Sequence, residues 1–282
     1  MNYLDIYKHL FTAMKQAGIV ALALQSEIKN EGKEVEHITA ESAYHKAMRT
    51  AKTKVDELVQ EMLLQALLPE YATLLSLDVE EETDTKMRYT REDYKYTLVL
   101  DPIDGTLEYI NQKDTYSICA ALLYEHDVKV ALVYFPKRNI LYGYEETMGS
   151  VVYTKLEDCR WNDYQKLDYQ PKNSNIVYKN SRLDKCISER LEQVGYLVID
   201  DNENGLTCPD ALIECMKGNA VAYFSDTRNI RDILLGAVIE KMKTGHAYTF
   251  TGDKAKWNMH GRQKEIVFTI YDKKNIFEKI VK

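Results

Sequence analysis

Between residues 96 and 146 the chain reads YTLVL, YSICAALLY, VKVALVYFP and ILYGYEE, four runs rich in β-branched and aromatic residues. Only EHD separates the second run from the third, and only PKRN the third from the fourth. Connections this short join neighbouring antiparallel strands and leave no room for a crossover helix. A further run, LLSLDV (74–79), precedes them. This part of the chain therefore has to form a largely antiparallel sheet, and the sheet needs an apolar cover.

The cover lies upstream. Residues 3–28 place Leu4, Tyr7, Leu10, Phe11, Met14, Ala17, Val20, Ala21 and Leu24 at helical spacing. Residues 41–68 repeat that character, with Val55, Leu58, Val59, Met62, Leu63 and Ala66 expected on one face and Pro69 near the end. Beyond the polar stretch 155–172 the pattern changes to strand NIVY, helix DKCISERLEQVG, strand YLVID, helix PDALIECMKG, strand AVAYFS and helix NIRDILLGAVIEKMKTG. Alternation of this kind indicates an α/β unit. The expected division is an N-terminal α+β part, 1–155, and a C-terminal α/β part, 156–282.

The net charge of −7 argues against a partner of nucleic-acid polymer or anionic membrane. No run approaches the roughly 20 apolar residues of a membrane span. The start MNYLDIYKHLF lacks the pattern of a signal peptide. Five cysteines without a C-x-x-C pair make neither a disulfide framework nor a zinc site, which suits buried thiols in a cytoplasmic protein.

Against this background four acidic features stand out. Asp101-Pro-Ile-Asp104-Gly-Thr ends the run YTLVL. Its two carboxylates and the Ile103 carbonyl are hard oxygen donors suited to Mg²⁺. Gly105 permits an unusual backbone, and Thr106 opens a short helix whose free N–H groups suit a phosphate. Taken alone, the same stretch is also a capped acidic turn. Asp78-Val-Glu80-Glu81-Glu82 ends another run and could set Glu80 or Glu81 beside Asp101. Asp232 opens an apolar helix, where it complements the helix dipole or adds a carboxylate to a metal site. Asp56, in Thr53-Lys-Val-Asp56, would act with Thr106 to deprotonate a water if it faces the acidic turn.

Together these stretches resemble the inositol monophosphatase superfamily: Mg²⁺-dependent, lithium-sensitive phosphomonoesterases that include the 3'(2'),5'-bisphosphate nucleotidases. Asp-Pro-Ile-Asp-Gly-Thr is similar to its signature, Thr53-x-x-Asp56 to its T-x-x-D and Glu80-Glu81 to its glutamate pair. Asn229-Ile-Arg-Asp232-Ile-Leu-Leu-Gly236 is similar to W-D-x-A-A-G, and all four occur in the family's order. The resemblance implies an α+β fold, a layered α-β-α-β-α sandwich, and a homodimer. It assigns two or three Mg²⁺ ions to Glu80 (or, by a one-residue shift, Glu81), Asp101, the Ile103 carbonyl, Asp104 and Asp232. It gives phosphate to Gly105 and Thr106, and water activation to Asp56 with Thr106, without a phospho-enzyme.

Asn204-Gly-Leu-Thr207 resembles the family's G-S-A-A-L segment and places Gly205 and Thr207 near the substrate. Tyr223, Ser225 and Asp226 could also touch the alcohol. The implied substrate is a small phosphomonoester, inositol monophosphate first. The runner-up is 3'-phosphoadenosine 5'-phosphate, toward which Asn180-Ser-Arg182 and Arg228 lean. There are departures: Arg231 stands in place of the tryptophan, Leu234-Leu235 in place of Ala-Ala, and Lys241-Met-Lys-Thr-Gly245 in place of E-A-G-G. A dehalogenase-type phosphatase would need its carboxylates two apart, and a calcium loop would need alternating acids through twelve residues. A non-catalytic relative that binds metal or ligand is the remaining alternative.

Overall fold

The computed structural model describes residues 1–32, 47, 50–167, 172, 174–226, 229–250, 252–257, 266–270 and 276. Helices α1 (Tyr3–Leu24) and α2 (Lys54–Tyr71) form the first layer. Each starts where a side chain satisfies its free amides: Asn2 accepts from Asp5 N–H, and Thr53 from Val55 N–H. Buried Tyr7, Leu10, Met14 and Ala17 of α1 meet Val55, Val59, Leu63 and Leu67 of α2 over one face of the first sheet.

That sheet has seven strands in sequential order. They are β1 (Ser76–Val79), β2 (Tyr96–Asp104), β3 (Ser117–Tyr124), β4 (Asp127–Phe135), β5 (Ile140–Glu145), β6 (Gly149–Thr154) and β7 (Gln165–Lys166). Only β1–β2 is parallel; every other pairing is antiparallel. The hairpins read from the short gaps between 116 and 146 are present.

The second sheet has five strands in the order β11-β12-β10-β8-β9. It comprises β8 (Ile176–Lys179), β9 (Leu197–Asp200), β10 (Ala222–Ser225), β11 (Gly245–Thr249) and β12 (Ile266–Ile270). Strands β10, β8 and β9 run parallel, as strand–helix alternation requires. A short helix, α3 (Thr106–Ile110), follows β2. Helix α4 (Lys185–Gln193) covers the outer face, with Leu191 among Val177, Val221, Phe224 and Val267.

Between the sheets lie α5 (Cys208–Met216) and α6 (Leu234–Glu240). Their Leu212, Met216, Leu235 and Val238 share one core with Val99, Ala121 and Val133 of the first sheet and Tyr223 and Phe268 of the second. The result is the layered α-β-α-β-α sandwich. Gly236 is needed for the contact, because a Cβ there would sit 2.3 Å from Phe268 Cζ.

Three expectations change. The buried stripe of α2 is rotated: Leu58 is 41% exposed, while Asp56 and Gln60 are buried. The helix expected over 229–245 is a 3₁₀ turn (Ile230–Ile233) followed by α6, with Gly245 already in β11. Asp232 thus belongs to a tight turn rather than to the first α-helical turn. Cys186 is exposed, whereas Cys119 and Cys215 are buried, and all five thiols are free. The upstream part of the helix expected over 41–68 includes residues outside the described set, and so does Arg228.

Candidate active site

Residues 101 and 104 are an odd number apart, so a regular strand would send their side chains to opposite faces. It does not happen here. Asp101 pairs with Cys119 but Asp104 with Ser117, three residues on β2 against two on β3, which marks a bulge. The extra residue brings both carboxylates onto the face that meets the middle layer, while Ile103 is packed into the core beneath α1 and α2. Pro102 fits here because β1 has ended opposite Leu100, leaving no ladder partner for its missing N–H.

Gly105 closes the strand at φ +84°, and a Cβ there would lie 3.3 Å from the Thr207 methyl. This conformation suits glycine. Thr106 then starts α3, and its hydroxyl lies 3.2 Å from Asp56 Oδ1 and 3.0 Å from the Ile103 carbonyl. The other Asp56 oxygen accepts from Thr53 N–H at 3.0 Å and Thr53 Oγ1–H at 2.6 Å, a capping box at the start of α2. Burial, reinforced by Glu80 and Glu81, outweighs those donors and pushes the Asp56 carboxyl up to about 6.

Burial also drives Asp101 well above the usual carboxylate range; Glu80, Asp104 and Asp232 add to the effect and Arg231 opposes it. Asp104 is raised well above that range too, by burial and by Asp232, with the Ser117 hydroxyl at 3.3 Å acting the other way. Asp101 Oδ1 is buried without a hydrogen-bond partner. A buried carboxylate oxygen of this kind is strongly unfavourable unless something positive meets it, which fits a cation. Among the described residues, however, no three carboxylate, imidazole or thiol side chains already converge as a finished coordination sphere. The four carboxylates are gathered as neighbours in charge.

The two glutamates differ. Glu80 acts electrostatically on Asp101 and Asp104. Glu81 instead pairs with Lys52 at 2.7 Å, while its backbone exchanges hydrogen bonds with the Gln60 side chain. Arg231 donates to Asp78 on β1, and its Nε is buried without a partner.

On the opposite wall, Thr207 caps α5 with Asp210 and donates to the Thr115 carbonyl at 3.2 Å. Asp210 accepts from Arg138, whose Nε also reaches Asp114 at 3.2 Å. Gly205 ends a 3₁₀ turn at φ +70°, exposed, with open space around its α-carbon. Ser225 is buried and its hydroxyl has no partner. Tyr223 is committed to Asp201, donating at 2.8 Å, and Asp226 N–H is held by Asn180 at 3.2 Å. Arg182 is exposed on the turn before α4.

Sequence reading overlooked Ser117, Asp201 and Asp210. Ser117 becomes visible only through the β2–β3 register. Asp210 carried a signal, since Thr207-x-x-Asp210 has the spacing of a capping box.

A family model described as "Inositol monophosphatase family" matches residues 5–255. A solved structure described as IMPase/NADP phosphatase complexed with Mg²⁺ and phosphate superposes with TM-score 0.70 at 17% identity, covering 99% of this chain and 96% of that one. Staphylococcal inositol monophosphatase-1, in a LiCl-soaked inhibitory complex, superposes with TM-score 0.69 at 16% identity, covering 99% and 95%. The putative Nus factor SuhB of Neisseria meningitidis serogroup A is 34% identical over 58 residues, 21% of this chain. The match spans only 22% of that relative's length.

Proposed function

The chain belongs to the inositol monophosphatase family, and from that premise we propose that it is a divalent-metal-dependent phosphatase of a small phosphomonoester, inositol monophosphate first. The observation that carries the proposal is the Thr106–Asp56 contact at the end of the turn that also holds the unpartnered Asp101 oxygen. It sets a proton acceptor next to a site that calls for positive charge.

In this reading Glu80, Asp101, the Ile103 carbonyl, Asp104 and Asp232 hold Mg²⁺, two or three ions per site. Glu80 is preferred to Glu81 because Lys52 already neutralises Glu81. Bound cations supply charge neutralisation for the phosphate oxygens and the departing alkoxide. The Gly105 and Thr106 amides bind phosphate. The proton of the attacking water passes to Thr106 Oγ1 as the Thr106 proton passes to Asp56 Oδ1. Thr53 fixes Asp56 so that Oδ1 stays aimed at Thr106. The water oxygen forms the new P–O bond, the bond to the alcohol oxygen breaks, and no phospho-enzyme forms. Gly205, Thr207 and Ser225 line the alcohol side. Lithium sensitivity, a homodimer and a cytoplasmic setting belong to the same proposal. Among the described residues no helix is long and apolar enough to cross a membrane.

The test is phosphate release by the full chain from inositol 1-phosphate and from 3'-phosphoadenosine 5'-phosphate, with and without Mg²⁺ and with added LiCl. Mg²⁺-dependent turnover, inhibited by Li⁺ and with the higher kcat/KM on inositol 1-phosphate, is expected. An equal or higher value on the nucleotide makes the chain a bisphosphate nucleotidase. No turnover with metal binding intact makes it a non-catalytic relative.

A further inference from the structure

Four carboxylates of the site, Glu80, Asp101, Asp104 and Asp232, act on one another, Asp101 buried and the other three half-buried. A fixed positive charge sits among them. Arg231 immediately precedes Asp232 in the 3₁₀ turn that packs on β2, and it feels the charges of Asp78, Asp101, Glu80 and Asp232. Its side chain is only 15% exposed and is held by Asp78, one strand over from the bulge. One edge of the guanidinium is thereby occupied, while Nε stays buried without a partner. Arginine remains charged under all ordinary conditions and cannot withdraw by losing a proton.

Asp78 and Arg231 cancel as a pair only if the pair stays together. The parallel β1–β2 ladder fixes Asp78 opposite Val99, on the far side of the strand that carries Asp101. Asp78 thus decides where the guanidinium sits. We propose that Arg231 is a resident cation of this metal site, positioned by Asp78, which offsets part of the carboxylate charge and weakens divalent-cation binding. The inference rests on the reading of the site as a metal site. Its chemical consequence is a site tuned to hold and release divalent cations loosely, with occupancy set by the free cation concentration.

The test is calorimetric titration of the metal-free full chain with Mg²⁺ at fixed pH and ionic strength. Arg231→Gln should bind Mg²⁺ about tenfold more tightly than the parent, the order of effect a unit charge exerts on a divalent ion several ångströms away at high effective permittivity. Arg231→Lys, which keeps the charge, should stay within about threefold of the parent. Asp78→Asn, which frees the guanidinium to turn toward the carboxylates, should bind more weakly by at least about threefold. Equal or weaker binding by Arg231→Gln overturns the proposal. If that variant does not fold, unchanged affinity in Asp78→Asn overturns it instead. Asp101→Asn separates the two readings. Mg²⁺ binding by the parent that Asp101→Asn abolishes keeps the metal site whatever Arg231→Gln does, whereas no binding by the parent removes both.

Discussion

The Thr106 hydroxyl reaches Asp56 Oδ1 across 3.2 Å although the two residues are 50 positions apart. The proposed proton acceptor and its relay thus come from different elements, Asp56 in the first turn of α2 and Thr106 at the start of α3. Asp56→Asn is expected to lower kcat by about 10²–10⁴-fold. Thr106→Ala should do the same, and the double variant should be little worse than either single one, because both serve one proton path. Additive losses in steady-state phosphate release would show two separate roles.

The carboxylates of the acidic run should not be equivalent. Asp101 is buried with an unpartnered oxygen, whereas the Glu82 side chain is 85% exposed and paired with Lys86. Asp101→Asn should abolish Mg²⁺-dependent turnover while Glu82→Gln leaves kcat/KM within about twofold, exposed pairs contributing little. Comparable losses would mean that the cluster is centred elsewhere.

The metal-free chain should become less stable as the pH rises. Asp56 titrates at about 6 in the folded chain, against an ordinary value of 3.8. The folded state therefore keeps its proton where the unfolded chain has lost it, and stability falls with rising pH through that interval. For Asp56 alone the loss is about 3 kcal/mol, and Asp101 and Asp104, raised in the same direction, add to it. Thermal melts from pH 4 to 7 in chelator should show a falling Tm, and Mg²⁺ should restore it at the upper end. A Tm that rises across this interval in chelator would contradict the burial of these groups.

Arg138 should act on substrate binding without touching the reacting atoms. It holds Asp210, which caps α5 together with Thr207, and the Thr207 methyl lies against Gly105. Arg138→Ala leaves Asp210 buried without its charge partner, at a cost of about 2 kcal/mol in stability. KM should rise severalfold with a smaller change in kcat, because the alcohol-side wall shifts against the phosphate loop. An unchanged KM would leave Arg138 a purely structural residue.

Much of this was legible beforehand, for identifiable reasons. Gaps as short as EHD and PKRN admit one pairing, so the strands from β3 to β5 could be read directly. Thr53-x-x-Asp56, the aspartate pair and Asp232 could be singled out as candidates by residue type and spacing. The rotated face of α2 could not be read, because Asp56 and Gln60 are buried by what they bond to: Gln60 is satisfied by the Glu81 backbone. The bulge at Pro102-Ile103 was hidden for a related reason, since register belongs to two strands at once. Strands β11 and β12 went unread although IVFTI is plainly apolar. Each pairs with a strand distant in sequence or across a long connection, and no local turn signal announces that.

The helices between the two sheets, greasy on both sides, also govern how the molecule can evolve. Leu235 and Val238 lie in one core with residues of both sheets, so the two sheets are held together through that core. In the proposed phosphatase, discrimination among alcohols then falls to residues of the opposite wall, Gly205 and Thr207 before α5 and Ser225 at the end of β10. In that reading a lineage can exchange one phosphorylated substrate for another by point substitutions there, with Asp56, Thr106 and the carboxylate cluster left untouched.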